Sequence, residues 1–188
     1  MDQAEKGERI VLFMDASHFI FTTFLGYLWC NVRCFLKSHA GRKRYNVLGA
    51  LNAATKKVSI YTNDTTLDAN SICLFLKQIY LEYKGKSITV ILDNVRYQKC
   101  KLVRRYAKVL GIELVYLPSY SPHLNLIERF WKYVKKEALY STFYEDYSAF
   151  KQGIDQCITN AFIKDKEKMD SLLTTNFQSF KNIKLLSV

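Results

Sequence analysis

Asp15, Asp93 and Glu128 are the residues of this chain whose settings point to chemistry. The first closes the apolar run Ile10-Val11-Leu12-Phe13-Met14, and the second closes Ile88-Thr89-Val90-Ile91-Leu92. The third lies in Asn125-Leu126-Ile127-Glu128-Arg129-Phe130-Trp131-Lys132, behind the loop Leu117-Pro118-Ser119-Tyr120-Ser121-Pro122. An unbroken run of about five apolar residues reads as a strand covered on both faces, as in parallel sheets flanked by helices. Ligand chemistry in such sheets gathers beyond the carboxyl ends of the strands. If the two strands are parallel neighbours, each stopping at its aspartate, both carboxylates emerge at one sheet edge, and a helix carrying Glu128 completes a three-carboxylate site. Hard oxygen ligands around an open position suit Mg²⁺, and paired metals drive phosphodiester chemistry. Taken singly, each acid has a plainer reading. An aspartate after a strand serves as a cap or turn residue, Asn94 beside Asp93 fits a turn equally well, and a lone Glu128 is a solvated helix residue.

The elements that must hold these acids follow from pattern. Tyr45 to Ala53 and Lys57 to Thr62 read as two strands joined by Ala54-Thr55-Lys56, a short hairpin. Asp68 or Thr66 caps a helix running to about Tyr83, with Ile72, Phe75, Leu76, Ile79 and Tyr80 on one face. Lys99 to Leu110 is a basic helix closed by Gly111, and Ile112 to Leu117 a further buried strand. The glutamate helix runs from about Leu124 to Leu139, and one or two more helices follow from Tyr144. On the glutamate helix Asn125, Glu128, Lys132 and Lys135 share one face, opposite Ile127, Phe130, Trp131, Val134 and Ala138. Phe19 to Lys37 is aromatic-rich and β-leaning. The order β, β-hairpin, α, β, α, β, α describes an α/β domain, a mixed sheet with helices on both faces.

With 188 residues, 49% of them hydrophobic, and only seven Gly and two Pro, the chain fits one folded domain, residues 1–188, with no linker or repeat. The formal net charge of +11 points to a polyanionic partner, and nucleic acid is favoured over a membrane surface. The apolar stretch Phe19 to Cys30 is shorter than the ~20 residues of a membrane span. The five cysteines (Cys30, Cys34, Cys73, Cys100, Cys157) show no redox or zinc spacing, and Cys30, Cys34 and His39 lack a fourth ligand. They read as reduced core residues of a cytoplasmic protein. Three basic groups bracket the candidate site in sequence: Arg42, Lys43 and Arg44; then Arg96, Lys99, Lys101, Arg104, Arg105 and Lys108; then Arg129, Lys132, Lys135 and Lys136. Each reads either as a solvated face or as phosphate contacts, and their placement favours the latter. Tyr120 and His123 either meet DNA or pack their loop; His18, just past Asp15, either assists or is structural. Trp29 and Tyr27 read as core.

The strings Met14-Asp15-Ala16-Ser17-His18-Phe19, Gly41 through Ala50, Leu92-Asp93-Asn94-Val95-Arg96-Tyr97 and Leu117 through Trp131 resemble the catalytic domain of DDE transposases, in the bacterial insertion-sequence branch of the mariner superfamily. The 34 residues between Asp93 and Glu128 match that family's spacing, and the order Tyr-Ser-Pro, Asn, Ile-Glu, Trp is specific to it. Gln98 stands where many relatives carry His, and Leu126 where Pro is common. The resemblance implies a ribonuclease-H-like fold, a mixed five-stranded sheet flanked by helices. It implies that Asp15, Asp93 and Glu128 are catalytic and hold two Mg²⁺ ions, for which Mn²⁺ substitutes, with Asp15 between them. Cleavage at insertion-sequence ends and strand transfer into target DNA would both be in-line displacements at phosphorus. Arg42, Lys43, Arg44, Arg129, Lys132 and Lys135 would bind DNA, and a homodimer would hold two ends.

Full-length relatives carry helix-turn-helix modules before the first aspartate, and 14 residues precede Asp15 here. The expectation is therefore a catalytic half that works with a separate N-terminal helix-turn-helix polypeptide, near the nucleoid of a prokaryotic cell. Two other readings stay open. One is a ribonuclease-H-like nuclease without strand transfer, and the other is an inactive DNA-binding remnant acting as a regulator.

Overall fold

The computed structural model describes residues 4, 6–22, 43–119, 121–140 and 142–175. The expectations for Tyr27, Trp29, Cys30, Cys34, His39, Gly41, Arg42 and Tyr120, and for most of the Phe19–Lys37 stretch, lie outside these residues. Five strands form one sheet: β1 Arg9–Ile20, β2 Arg44–Asn52, β3 Val58–Asn63, β4 Ser87–Leu92 and β5 Ile112–Tyr116. Their order is β3-β2-β1-β4-β5, with β1, β4 and β5 parallel and β2 and β3 antiparallel to their neighbours. Helices α1 (Ala69–Glu82) and α2 (Lys101–Val109) link β3 to β4 and β4 to β5, while α3 (Leu126–Leu139), α4 (Tyr147–Lys164) and α5 (Lys166–Leu172) follow the sheet.

Side chains alternate across a strand, and β1 divides itself accordingly. Leu12 and Met14 join Leu48, Ala50, Val90 and Leu92 beneath α1 and α2. Val11, Phe13 and Phe19 join Val47, Leu51, Ile127, Phe130, Trp131, Val134 and Phe150 on the other face, beneath α3 to α5. Local chemistry sets the helix ends. Asp68 caps α1 by accepting from the Ser71 N–H at 2.9 Å, with the Ser71 hydroxyl reaching back. Gly111 turns the chain out of α2 at φ +69°, a left-handed conformation that suits glycine. Cys73, Cys100 and Cys157 are free thiols. No helix among the described residues is long and apolar enough to cross a membrane.

Two elements depart from the sequence reading. The strand from Ile112, expected to be buried, is the edge strand β5, and only Ile112 in it is buried, because among the described residues no strand pairs with its outer side. β1 does not stop at Asp15 but continues to Ile20. Its parallel partner β4 ends at Leu92, opposite Met14, whereas antiparallel β2 stays paired with it through Ile20↔Arg44. Asp15 thus sits inside a strand on one side and at an open edge on the other.

Candidate active site

The register places the two aspartates side by side. Met14↔Leu92 is the last pair of the parallel ladder, so Asp15 and Asp93 each follow it at one sheet end. Asp15 shares the odd-numbered face of β1 with Val11 and Phe13, toward α3, and Asp93, one residue past β4, meets Asn125 at the start of that helix. That helix brings Glu128, in its first turn, over the same end.

Electrostatics report the convergence. The Asp15 carboxyl is pushed up from 3.8 to about 7, mainly because burial withholds water from its charged form, with Asp93 and Glu128 adding repulsion. The Ala16 N–H and Lys135 oppose that shift. Glu128 is also raised, by burial first and then by Asp93, against the pull of Lys132 and Lys135. Burial raises the Tyr97 phenol too, with Asp15 and Asp93 contributing. Among the described residues no three His, Cys, Asp or Glu side chains stand close enough to cage an ion as they are. The donor set is nonetheless all carboxylate, mutually repelling and flanked by two ammonium groups, the chemistry that suits a hard divalent cation.

Asn125 ties these elements together. It faces the acids, as its place on the helix with Glu128 implies, and it is fully buried there. As N-cap of α3 it makes no side-chain cap hydrogen bond. Its amide instead donates to Asp93 Oδ1 at 3.2 Å and to the Met14 carbonyl at 3.3 Å. One side chain thereby joins the strand before Asp15, the carboxylate of Asp93 and the start of the Glu128 helix. Asparagine is among the best N-caps, so its diversion from that task was the signal available only once the tertiary partners were known. On the neighbouring loop Asn94 Nδ2 donates to Ser119 Oγ at 3.3 Å, holding the turn after Asp93 to the loop before α3.

The remaining candidates separate. Lys132 is exposed and Lys135 half-buried, its Nζ 6.0 Å from the Phe19 ring centroid; both act electrostatically on the site's acids. Lys43 and Arg44 are exposed at the start of β2. Arg44 pairs with Ile20, five residues and roughly 16 Å along the strand from Asp15. Arg129 is turned elsewhere, donating to the carbonyls of Leu172 at 3.3 Å and Thr174 at 3.0 Å, where it satisfies the end of α5. Lys101, Arg104, Arg105 and Lys108 line the exposed side of α2. His18 lies on the even-numbered face of β1, opposite to Asp15, and bonds Asn46 Oδ1 at 2.6 Å, so it is structural. His123 is exposed in the short turn Pro122–Leu124. Gln98, in the turn between β4 and α2, is buried beside Tyr97, and its side chain partly offsets the rise of that phenol.

A five-stranded mixed sheet in this order, with helices on both faces, an acid within its first strand and another just past its fourth, defines a ribonuclease-H-like fold. The chain belongs to the family described as DDE superfamily endonuclease, which it matches over residues 10–151. It is 34% identical over 92 residues to the insertion element IS630 uncharacterized 39 kDa protein of Shigella sonnei, covering 48% of this chain and 26% of that protein. Its fold is that of the Mos1 mariner transposase. Against the Mos1 strand transfer complex the TM-score is 0.63 at 14% identity, over 96% of this chain and 57% of that one. Against the Mos1 paired end complex with Mg the TM-score is 0.60 at 14% identity, over 93% and 57%. The chain thus spans about a quarter of the Shigella protein and little more than half of Mos1.

Proposed function

We propose that this chain is the catalytic domain of an insertion-sequence transposase, cleaving DNA strands at element ends and joining them to target DNA. The observation that carries this reading is the gathering of Asp15, Asp93 and Glu128 from three elements at one sheet end, where burial and mutual repulsion hold the Asp15 carboxyl near pH 7. Asp15, Asp93 and Glu128 would hold Mg²⁺ or Mn²⁺. When bound, such ions activate the attacking oxygen and stabilise the leaving one. Lys132 and Lys135 would contact DNA phosphates beside the acids, and Lys43 and Arg44 would extend that contact along the strand direction. Asn125 would orient the Asp93 carboxylate through its hydrogen bond to Oδ1. Base-specific choice of ends would fall to a helix-turn-helix unit, and a dimer would pair two ends. A cytoplasmic setting fits a protein acting on prokaryotic DNA.

The test supplies the protein with labelled duplexes carrying the element's inverted repeat, together with a supercoiled target. Cleavage and joining are expected with Mg²⁺ or Mn²⁺, and neither with Ca²⁺ or excess chelator. Hydrolysis without joining would make the protein a nuclease of the same fold, and activity in chelator would remove the metal assignment.

A further inference from the structure

We propose that Gly49 is a positioning residue: the side chain it lacks, directly across the sheet from Asp15, sets how deeply the Glu128 helix seats and so how far Glu128 stands from the two aspartates. This rests on the metal-holding role proposed for the three carboxylates.

Gly49 is the cross-strand partner of Asp15. It lies between Val47 and Leu51, which face α3, and so it faces α3 as they do. A Cβ at this position would stand 2.5 and 2.7 Å from Cζ2 and Cη2 of Trp131, and 2.8 Å from Cδ1 of Ile127. Carbon atoms pack at about 3.5–4.0 Å, so a methyl group here requires the helix to withdraw by roughly 1 Å or the indole to leave. Ile127 can yield by turning its terminal methyl. Trp131 cannot: it is buried, with Phe19 edge-on at 6.4 Å and Phe130 at 5.6 Å between ring centroids.

The backbone gives no other reason for glycine. Gly7, Gly85 and Gly111 have positive φ, and Gly49 does not. Glycine inside a strand weakens it and marks a place where another group comes close. That group is α3 at its first turns. Ile127 and Trp131 stand one residue before and three residues after Glu128 on the same rigid helix, so a displacement at the contact carries the carboxylate with it. A displacement of about 1 Å suffices to cost about a hundredfold in a reaction that depends on placement.

A matched control exists in the same chain. A Cβ at Gly153, in α4, would stand 2.5 Å from Tyr144 Oη, an overlap of the same size. Tyr144 donates to the carbonyl of Ala138, ten residues and about 15 Å along the helix from Glu128.

The experiment measures Mn²⁺ affinity of the full chain by electron paramagnetic resonance, with thermal unfolding in parallel. Gly49→Ala should lose about ten- to a hundredfold in affinity, the effect of disturbing what orients a ligand. Adding Trp131→Phe, which deletes the two overlapping ring atoms, should restore most of it. Gly153→Ala should lower the melting temperature and leave the affinity at the wild-type value. Wild-type affinity in Gly49→Ala, an equal loss in Gly153→Ala, or a folded double variant without recovery would each overturn the proposal. A wild-type protein that binds no Mn²⁺ would remove the metal reading instead. The crystal structure of Gly49→Ala then decides the seat by itself: α3 withdrawn by roughly 1 Å upholds it, and an unmoved helix overturns it.

Discussion

The sheet face under α1 and α2 and the face under α3 to α5 are made from the same strands, yet they bury different chemistry. Under α1 and α2 the fully buried core is mainly aliphatic, with Leu12, Met14, Leu48, Ile72, Leu76, Ile79, Val90 and Leu92 around Phe75, and tyrosines such as Tyr61 and Tyr80 close its margin. Under α3 to α5 it is aromatic, with Phe13, Phe19, Phe130, Trp131, Tyr133 and Phe150, and it also takes in Ser17 and Asn125. Ser17 Oγ, Trp131 Nε1 and Asn125 Oδ1 are buried there without a hydrogen-bond partner. Met14 and Asp15 are consecutive residues, one fully buried and apolar, the other a carboxyl held near pH 7. Unpaired buried polar atoms each cost stability. The unpaired atoms Trp131 Nε1 and Asn125 Oδ1 belong to the helix that carries Glu128, and proteins break local rules of this kind at working sites.

Four perturbations test this division. Asp93→Asn should have the largest effect, because it removes a ligand charge but keeps an oxygen to accept from Asn125. Loss of about 4 kcal/mol of charge stabilisation, within the several that a metal supplies, lowers cleavage by roughly a thousandfold. The melting temperature should hold, and a parallel collapse of melting would make the residue structural. Leu76→Ala, on the other face, should cost about 2–5 kcal/mol in urea unfolding with Mn²⁺ affinity unchanged. If affinity fell with stability, the two faces would not be separable.

The third perturbation is pH. Because the Asp15 carboxyl is raised from 3.8 to about 7, the folded protein keeps this proton where the unfolded chain has lost it. The group's contribution is intact below pH 3.8, declines as pH rises to about 7, and is flat above. The full shift corresponds to about 4 kcal/mol, and residual solvent access reduces it to roughly 2 kcal/mol. In chelator, Asp15→Asn should therefore be more stable than wild type at pH 8 by about that amount and equal to it near pH 4. Parallel stability curves would contradict the buried-acid account. Metal affinity should fall as pH drops below about 7, since the proton competes for the same oxygens. The smallest change is expected from Lys132→Ala with Lys135→Ala. The log–log salt slope for duplex DNA should fall by up to about 1.8, at 0.9 per phosphate contact, on every sequence alike. A loss confined to one sequence would mean base reading.

Much of this division was legible in the chain. The apolar runs before Asp15 and Asp93, the hairpin at Ala54-Thr55-Lys56 and the faces of α1 and α3 carry local periodicity, and apart from the end of β1 these elements lie within a residue or two of their expected bounds. The end of β1 was misjudged because the apolar run stops at Met14, although alternation continues through Ser17 and Phe19 to Ile20. That continuation depends on β2, a partner distant in sequence. The same non-locality hid Gly49, whose meaning lies in its register with Asp15, and Asn125, whose amide turns inward only because Met14 and Asp93 are there. Arg129 reads as one more base beside Lys132, and only the arrival of α5 gives it carbonyls to satisfy.

The most direct test of the central claim is a Mn²⁺ titration of the chain bound to a short DNA duplex, followed by electron paramagnetic resonance in wild type and Asp93→Asn. Two ions per chain are expected in wild type above pH 7, with at least one lost in the variant while DNA affinity is kept. Equal occupancy in both proteins, or none in wild type, would contradict the assignment of Asp15, Asp93 and Glu128 as the metal-holding site.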